Sequence, residues 1–461
     1  MARPDTRATP RRAVMKFGGT SVADPDAIRR LVGIVGDARD ASGSPPVVVV
    51  SALAGVTDRL VEIARLAEDG SGDEASAILD RLTGRHVDVA TGVTAASRPS
   101  VLEHVRRELS EMKGLVHALA VLREVSPRSR DAVHAIGEVL SSVIVAGALN
   151  DAGIPTTGVD ARTVLVTDAE HTAAAPEMIE TCERCRDRVA PVVAAGRVPV
   201  LGGFIGATSN GVTTTLGRGG SDYSAAIFGA CLAVDEIQIW TDVDGMLTAD
   251  PRIVDEPRVV PQLSFAEASE LAYFGAKVLH PSTILPAVTK NIPVRILNSR
   301  RPAAGGTLIT SDGRLGDGRL TAIACKRGVT VVDITSTRML MAHGFLRRLF
   351  EVFERFKTAV DVVTTSEVSV SVTIDDTRRL DALVENLRHF AEVACEPEMA
   401  IVSAVGENLR SDATLFGRAI AALDRIPLRL VSQAASRRNL TFVLRDADVP
   451  EAMKRLHDSF F

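Results

Sequence analysis

Four consecutive valines, Val47 to Val50, stand behind Pro45-Pro46 and give way to Ser51-Ala52-Leu53-Ala54-Gly55. A strand with no polar position is buried on both faces, as in a parallel sheet covered by helices. The pattern recurs at Val14-Met15 before Lys16, at Val198 to Leu201 before Gly202-Gly203, and at Glu236 to Trp240 before Thr241-Asp242. Between these runs the spacing turns helical, as over Ile28 to Ala38 and Ala132 to Leu149. Alternating strands and helices predict an open α/β sheet, mostly parallel and flanked by helices. In such a sheet ligands sit at the carboxyl ends of the strands, and here glycine and polar residues follow each apolar run. From about Leu60 to Val125 the chain reads as polar-faced helix, an insertion or lid over about 60–130.

The patterning changes after the glycine-bearing loop at Gly313, Gly316 and Gly318. A strand is expected at Val329 to Ile334, then a helix opening at Gly344 with Phe345, Leu346, Leu349, Phe350, Phe353 and Phe356 as one apolar stripe. A hairpin follows at 360–364 and 368–374, then a helix over 377–390. A second unit restarts at Met399 to Val405, with a helix at 412–423, strands at 428–431 and 440–444, and a last helix. Two β-α-β-β-α-β units of this kind are ferredoxin-like modules.

Composition adds exclusions. A chain of 461 residues exceeds one hydrophobic core. The net charge of −5 and an aromatic share of 4% disfavour nucleic acid as a partner. No apolar run approaches the roughly 20 residues needed to cross a bilayer, so no membrane partner is expected. Residues 1–12 are Arg-rich without an apolar stretch and read as a disordered tail. Five cysteines, at 182, 185, 231, 325 and 395, are too few and too scattered for a disulfide framework, which fits a reducing cytoplasm. Cys182 and Cys185 form a C-x-x-C, but a zinc site needs a second pair, so the expectation is an exposed helix face.

Two loops carry candidate chemistry. Lys16-Phe17-Gly18-Gly19-Thr20-Ser21 places a cation beside glycines that let backbone N–H groups approach an anion. It lacks the spacing of a dinucleotide fingerprint or a P-loop. Thr213 to Ser224 contains Leu216-Gly217-Arg218-Gly219-Gly220-Ser221-Asp222, in which Arg218 suits a carboxylate or phosphate. Ser221 or Asp222 could cap the helix that follows. Asp242 and Asp244 could touch a metal or a ribose, or simply form a turn. Phe274-Gly-Ala-Lys277-Val278-Leu-His-Pro adds a further cation.

Together with Trp240-Thr-Asp-Val and Thr364-Thr-Ser-Glu-Val-Ser-Val, these motifs closely resemble the aspartate kinases of the single-chain, lysine-sensitive kind, in the amino acid kinase superfamily. The resemblance spans about Val14 to Phe461. It implies a catalytic domain over 13–310 and two C-terminal ACT domains, 320–396 and 397–461. It implies ATP and Mg²⁺ as cofactors, with no protein metal-ligand cluster. Lys16 and Asp222 would be catalytic. Thr20, Ser51, Thr57, Glu138, Arg218 and Ser221 would hold aspartate. ATP would contact Lys16, Gly18, Gly19, Thr241, Asp242, Leu247, Arg252, Lys277 and Val278. Leu247 departs from the pattern, because a similar family member has a tyrosine there beside the adenine.

The implied reaction suits these residues. The side-chain carboxylate of aspartate, with a pKa of about 3.9, is already ionised at neutral pH. No general base is required, and none of the nine histidines needs a role. Cation and positioning are what phosphoryl transfer to a carboxylate demands. By the same resemblance, Met339, Gly344, Phe345, Leu346, Asp361, Thr365 and Ser366 would bind lysine as effector. Ala342 stands where lysine-inhibited enzymes carry a serine. Pairing through ACT domains implies a homodimer or homotetramer. The alternatives are another amino-acid or small-carboxylate kinase of this fold, or a catalytically silent amino-acid sensor.

Overall fold

The computed structural model describes residues 11–275, 281–312, 320–339, 343–433 and 437–461. Lys277, Val278, Ala342 and residues 1–10 of the expected tail lie outside them. By internal packing the chain divides into two compact units: Met1–Met246 with Val278–Ser311, and Leu247–Lys277 with Asp312–Phe461.

In the first unit the fully apolar runs are the centre of a sheet. Its strands lie in the order Thr156–Gly158, Val198–Gly202, Val47–Val50, Ala13–Phe17, Glu236–Thr241, Val294–Asn298 and Thr307–Thr310. Neighbours run parallel, with Lys16 level with Val49 on one side and Ile239 on the other. Thr307–Thr310 returns antiparallel, against Val294–Asn298. Val14, Val48, Val49, Val50 and Val200 have no exposed surface, as two covered faces require. The expected insertion is three helices, Val56–Glu68, Gly72–Val93 and Arg98–Leu122.

The next helix, Pro127–Asp151, is long and apolar enough to span a bilayer, a length the sequence reading did not credit. Most of that apolar window is buried inside the unit, so its hydrophobicity serves the core. Ser126 caps it by accepting from the Ser129 N–H, and Pro127 fits its first turn.

Two expectations about the cysteines fail. Cys182 is disulfide-bonded to Cys231, tying helix Met178–Arg188 to helix Gly220–Leu232. Cys185, one turn further on, is buried rather than on an exposed face. Spacing along the chain could not reveal a bond between residues 49 positions apart. Sparse cysteines therefore do not argue for a reducing compartment here.

In the second unit six antiparallel strands form one sheet, in the order Val363–Thr365, Ser369–Ile374, Leu320–Thr335, Glu392–Gly406, Asn439–Arg445 and Leu430–Ser432. Leu320–Thr335 and Glu392–Gly406 are long and pair along most of their length. Their ends belong to two cores. Leu320, Ile323, Ala400 and Val402 pack with Leu415, Phe442 and Leu456. Val332 and Ile334 pack with Phe345, Leu349, Val370 and Leu383. The expected strand at 329–334 is thus only the second half of a strand that serves both. The expected stripe also divides: Phe345, Leu349 and Phe353 are buried, whereas Leu346 and Phe350 are more than a third exposed.

Candidate functional site

Strand Ala13–Phe17 delivers Lys16 to the carboxyl end of the parallel sheet, where the chain turns through the short helix Gly19–Ser21. This turn is clamped from three sides. Gly18 N–H donates to the Trp240 carbonyl at 3.0 Å, and Ala54 N–H donates to the Gly19 carbonyl at 3.1 Å. Ser21 Oγ donates to Ser299 Oγ at 2.8 Å. Lys16 itself is only 8% exposed.

The second loop arrives from strand Thr213–Thr215 and turns into helix Gly220–Leu232. Gly219 is the N-cap, with φ 72°, a left-handed conformation that a side chain would strain. No side chain caps this helix, so the expected capping by Ser221 or Asp222 does not occur. Both lie in its first turn instead. Gly203 allows the approach, since a Cβ there would stand 2.8 Å from the Ser221 Cβ.

The two loops meet: Lys16 Nζ lies 2.6 Å from Asp222 Oδ1, outside directed hydrogen-bond geometry but well within ion-pair reach. They border a cavity of about 700 Å³ that also holds Ser51, Thr57, Glu138, Arg218 and Ser221. Glu138 comes from helix Pro127–Asp151 and is 3% exposed. Its Oε1 accepts from the Ala52 N–H at 3.2 Å, while Oε2 is buried without a partner. Burial pushes its pKa up to about 8, against the pull of the Ala52 N–H and of Lys16. Burial therefore favours the uncharged acid. Arg218 is exposed, and no carboxylate pairs with it among the described residues.

Other expected residues lie elsewhere. Gly19 borders the cavity, whereas Gly18 and Thr20 do not. Thr241 and Asp242 close strand Glu236–Thr241, with the Thr241 carbonyl accepting from the Ser299 N–H at 2.8 Å. Asp244 is spent on structure, accepting from Asn298 Nδ2 at 2.7 Å and pairing with Arg301. Leu247 and Arg252 belong to the second unit. There Leu247 bridges to Val259, and Arg252 is held by Asp250. Among the described residues no cluster of three or more His, Cys, Asp or Glu could hold a metal.

Several residues of the cavity were missed. Asp131, fully buried, accepts from His171 Nδ1 at 2.6 Å, from Thr215 Oγ1 at 2.6 Å and from the Thr172 N–H at 3.0 Å. It fixes Thr172, at φ 75°, and Thr215 against the cavity wall. His134 and Arg130 also border the cavity. Counting back from Glu138 by four would have found both; nothing in the sequence marks Asp131.

In the second unit, Gly344 precedes helix Phe345–Arg355 at φ 82°. Phe345 is core, and Met339 packs partly buried against the same cluster. Asp361 is already engaged: its Oδ1 accepts from Lys326 Nζ at 2.7 Å and from the Tyr273 hydroxyl at 2.8 Å. Its Oδ2 is buried without a partner. Thr365 and Ser366 are exposed, with Ser366 hydrogen-bonded to Ser369.

Residues 11–298 match the amino acid kinase family, and residues 402–460 match an ACT domain. Aspartokinase 1, chloroplastic, of Arabidopsis thaliana is 36% identical over 97% of this chain and 80% of its own length. The crystal structure of Escherichia coli aspartokinase III in complex with aspartate and ADP, the R-state, is 34% identical with a TM-score of 0.83, covering 97% of this chain and 99% of that one. The same enzyme in complex with lysine and aspartate, the T-state, gives 0.80 at the same identity and coverage.

Proposed function

The chain belongs to the amino acid kinase family and, within it, to the aspartokinases, and from that premise we propose that it transfers the γ-phosphoryl group of ATP to the side-chain carboxylate of L-aspartate. The product is 4-phospho-L-aspartate, and the reaction is the first step toward lysine, threonine and methionine. The observation that carries this reading is the meeting of Lys16 and Asp222 in a cavity that also presents Arg218 and a buried carboxylate with an unpaired oxygen.

Each group then has work that its chemistry suits. Arg218 grips the α-carboxylate through its planar fork. Glu138 receives the α-ammonium, which supplies the positive charge that its buried oxygen lacks and returns the acid to its ionised form. Ser51, Thr57 and Ser221 add hydroxyl contacts. Lys16 draws the β-carboxylate and the polyphosphate together, and Asp222 orients Lys16 until the phosphates compete for it. No proton leaves the nucleophile, so no general base is needed. ATP is assigned to the glycine turn at Gly18-Gly19 and to Thr241 and Asp242. Mg²⁺ would neutralise phosphate charge.

Lysine is the proposed effector, with Met339, Gly344, Phe345, Leu346, Asp361, Thr365 and Ser366 around it. The unpartnered Asp361 Oδ2 and the uncapped helix at Gly344 support an ammonium and a carboxylate respectively. A dimer or tetramer through the ACT sheets is supported by its edge strands, where Val363 and Val431 are exposed.

The test is a hydroxylamine trap for acyl phosphate, run with ATP, Mg²⁺ and a panel of amino acids. Signal with aspartate is expected. Signal with glutamate but not aspartate would overturn the assignment.

A further inference from the structure

His134 lines the cavity and has no part in the kinase reading. Helix Pro127–Asp151 turns Arg130, His134 and Glu138 toward it at intervals of four residues, which places them on one face of the helix. Among the described residues His134 Nε2 is buried without a hydrogen-bond partner. The neighbouring acceptor, Glu138 Oε2, is in the same condition.

Buried polar atoms are rarely left unpaired, and each such atom carries the full cost of its desolvation. His171, by contrast, bonds to Asp131 through its Nδ1. His86 Nε2 is also unpartnered, but His86 does not border this cavity. A buried imidazole nitrogen and a buried carboxyl oxygen on one helix face, both beside the substrate cavity, suit a ligand with more than one N–H once the Glu138 carboxyl is ionised.

We propose that His134 is a substrate-binding residue whose Nε2 accepts a hydrogen bond from the α-ammonium of aspartate, beside Glu138. This deepens the kinase reading and rests on it. An ammonium has three N–H donors, whereas Glu138 offers a single free oxygen, because Ala52 N–H occupies the other. Burial lowers the His134 pKa, with Asp131 opposing that shift and Arg130 adding to it; this favours the neutral ring, whose Nδ1–H tautomer leaves the Nε2 lone pair to accept. The site then distinguishes an amino acid from a plain dicarboxylate with two acceptors rather than one.

Full-length protein carrying His134→Phe or His134→Gln tests this. For His134→Phe the aspartate KM should rise about tenfold, with kcat and the ATP KM unchanged. Succinate, which has both carboxylates but no ammonium, should inhibit wild type and variant with the same Ki. His134→Gln retains an acceptor oxygen and should recover most of the aspartate affinity. An unchanged aspartate KM, an equal rise in the succinate Ki, or a Gln variant no better than Phe would each overturn the assignment. A measurement on wild type keeps the question open to refutation if a variant fails to fold. In ¹⁵N-histidine-labelled protein, aspartate without ATP should shift one imidazole Nε2 resonance, and no shift means no contact. A wild type that does not phosphorylate aspartate defeats the kinase reading. A wild type that does, with unresponsive His134 variants, defeats this inference alone.

Discussion

Two buried carboxylates, one in each unit, have been given opposite treatment. Glu138 faces a cavity with one oxygen unpaired and no cation in direct contact, and burial raises its pKa to about 8. Asp361 is comparably buried, yet its Oδ1 is filled by Lys326 and Tyr273 from the same unit. Burial pulls the Lys326 pKa down, but its bonds to Asp361 and Asp375 outweigh that and hold it above the ordinary value. The first carboxylate waits for an ammonium from outside; the second has one already. A site left unsatisfied costs folding energy that a ligand returns on binding. A site satisfied internally responds only to a ligand that can share or displace the resident cation. Catalytic binding and regulation would thus differ in how much each site owes its ligand.

The largest effect should come from Lys16, whose ion pair with Asp222 joins the two loops. Lys16→Ala should lower turnover by about 10³-fold, the order associated with losing a charge that acts on the transferring phosphoryl group. Aspartate binding, measured without ATP, should weaken much less, because Glu138 and Arg218 remain. Undiminished turnover would mean that the lysine has no part in the chemistry.

Glu138→Gln comes next. The amide matches the uncharged acid of the empty cavity, so melting should change little. Aspartate affinity should fall about 10- to 100-fold, the range for hydrogen bonds to a charged group. The sign of the pH dependence follows from the raised pKa. Below about 8 the empty site holds the proton, and the incoming ammonium expels it. Wild-type affinity should therefore improve by about tenfold per unit as pH rises from 6 towards 8, then level off. The empty fold behaves oppositely, losing stability from this group as pH climbs from 4.5 to about 8. Titration calorimetry in two buffers of different ionisation enthalpy should find nearly one proton released per aspartate at pH 6.5, and none for Glu138→Gln. Zero release by wild type would remove the contrast between the two carboxylates.

How much of this was legible in the sequence depends on whether a feature is local. The parallel sheet and the two loops could be read because an all-apolar strand and a glycine turn are each written in a few adjacent residues. Lys16, Arg218 and Asp222 follow from the loops. The Cys182–Cys231 bond, the three donors on Asp131 and the capture of Asp361 by Lys326 were not legible. Each joins residues far apart in sequence, and each depends on a pairing that only the folded chain makes. The shared strands Leu320–Thr335 and Glu392–Gly406 were hidden differently: period-two alternation says a strand is present but not that its two ends enter different cores.

On the second carboxylate, Lys326→Met removes the resident ammonium while keeping much of the stem. If the effector's ammonium and Lys326 compete for Asp361, lysine should bind about tenfold more tightly to this variant, in line with one charge-assisted bond. Lysine inhibition should move to lower concentration with the aspartate KM unaltered. Unchanged lysine binding would place the effector's ammonium away from Asp361 and leave the Lys326 pair a purely structural contact.

The smallest effect belongs to Tyr273, whose hydroxyl shares Asp361 Oδ1 with Lys326. Burial and the bond to Asp361 both push the phenol upward, so it stays a neutral donor at any working pH. Its ring also lies 5.5 Å from Lys326 Nζ, and Tyr273→Phe keeps that face while deleting the donor. The substitution frees one hydrogen-bonding direction at Asp361 without freeing the cation. Lysine affinity should therefore rise only about two- to threefold, less than for Lys326→Met, since a neutral donor gives up less than a charged one. The order of the two variants is the discriminating readout. If Tyr273→Phe sensitises the protein more than Lys326→Met, the hydroxyl and not the ammonium blocks Asp361, and the second site is closed by a hydrogen bond rather than by a resident charge.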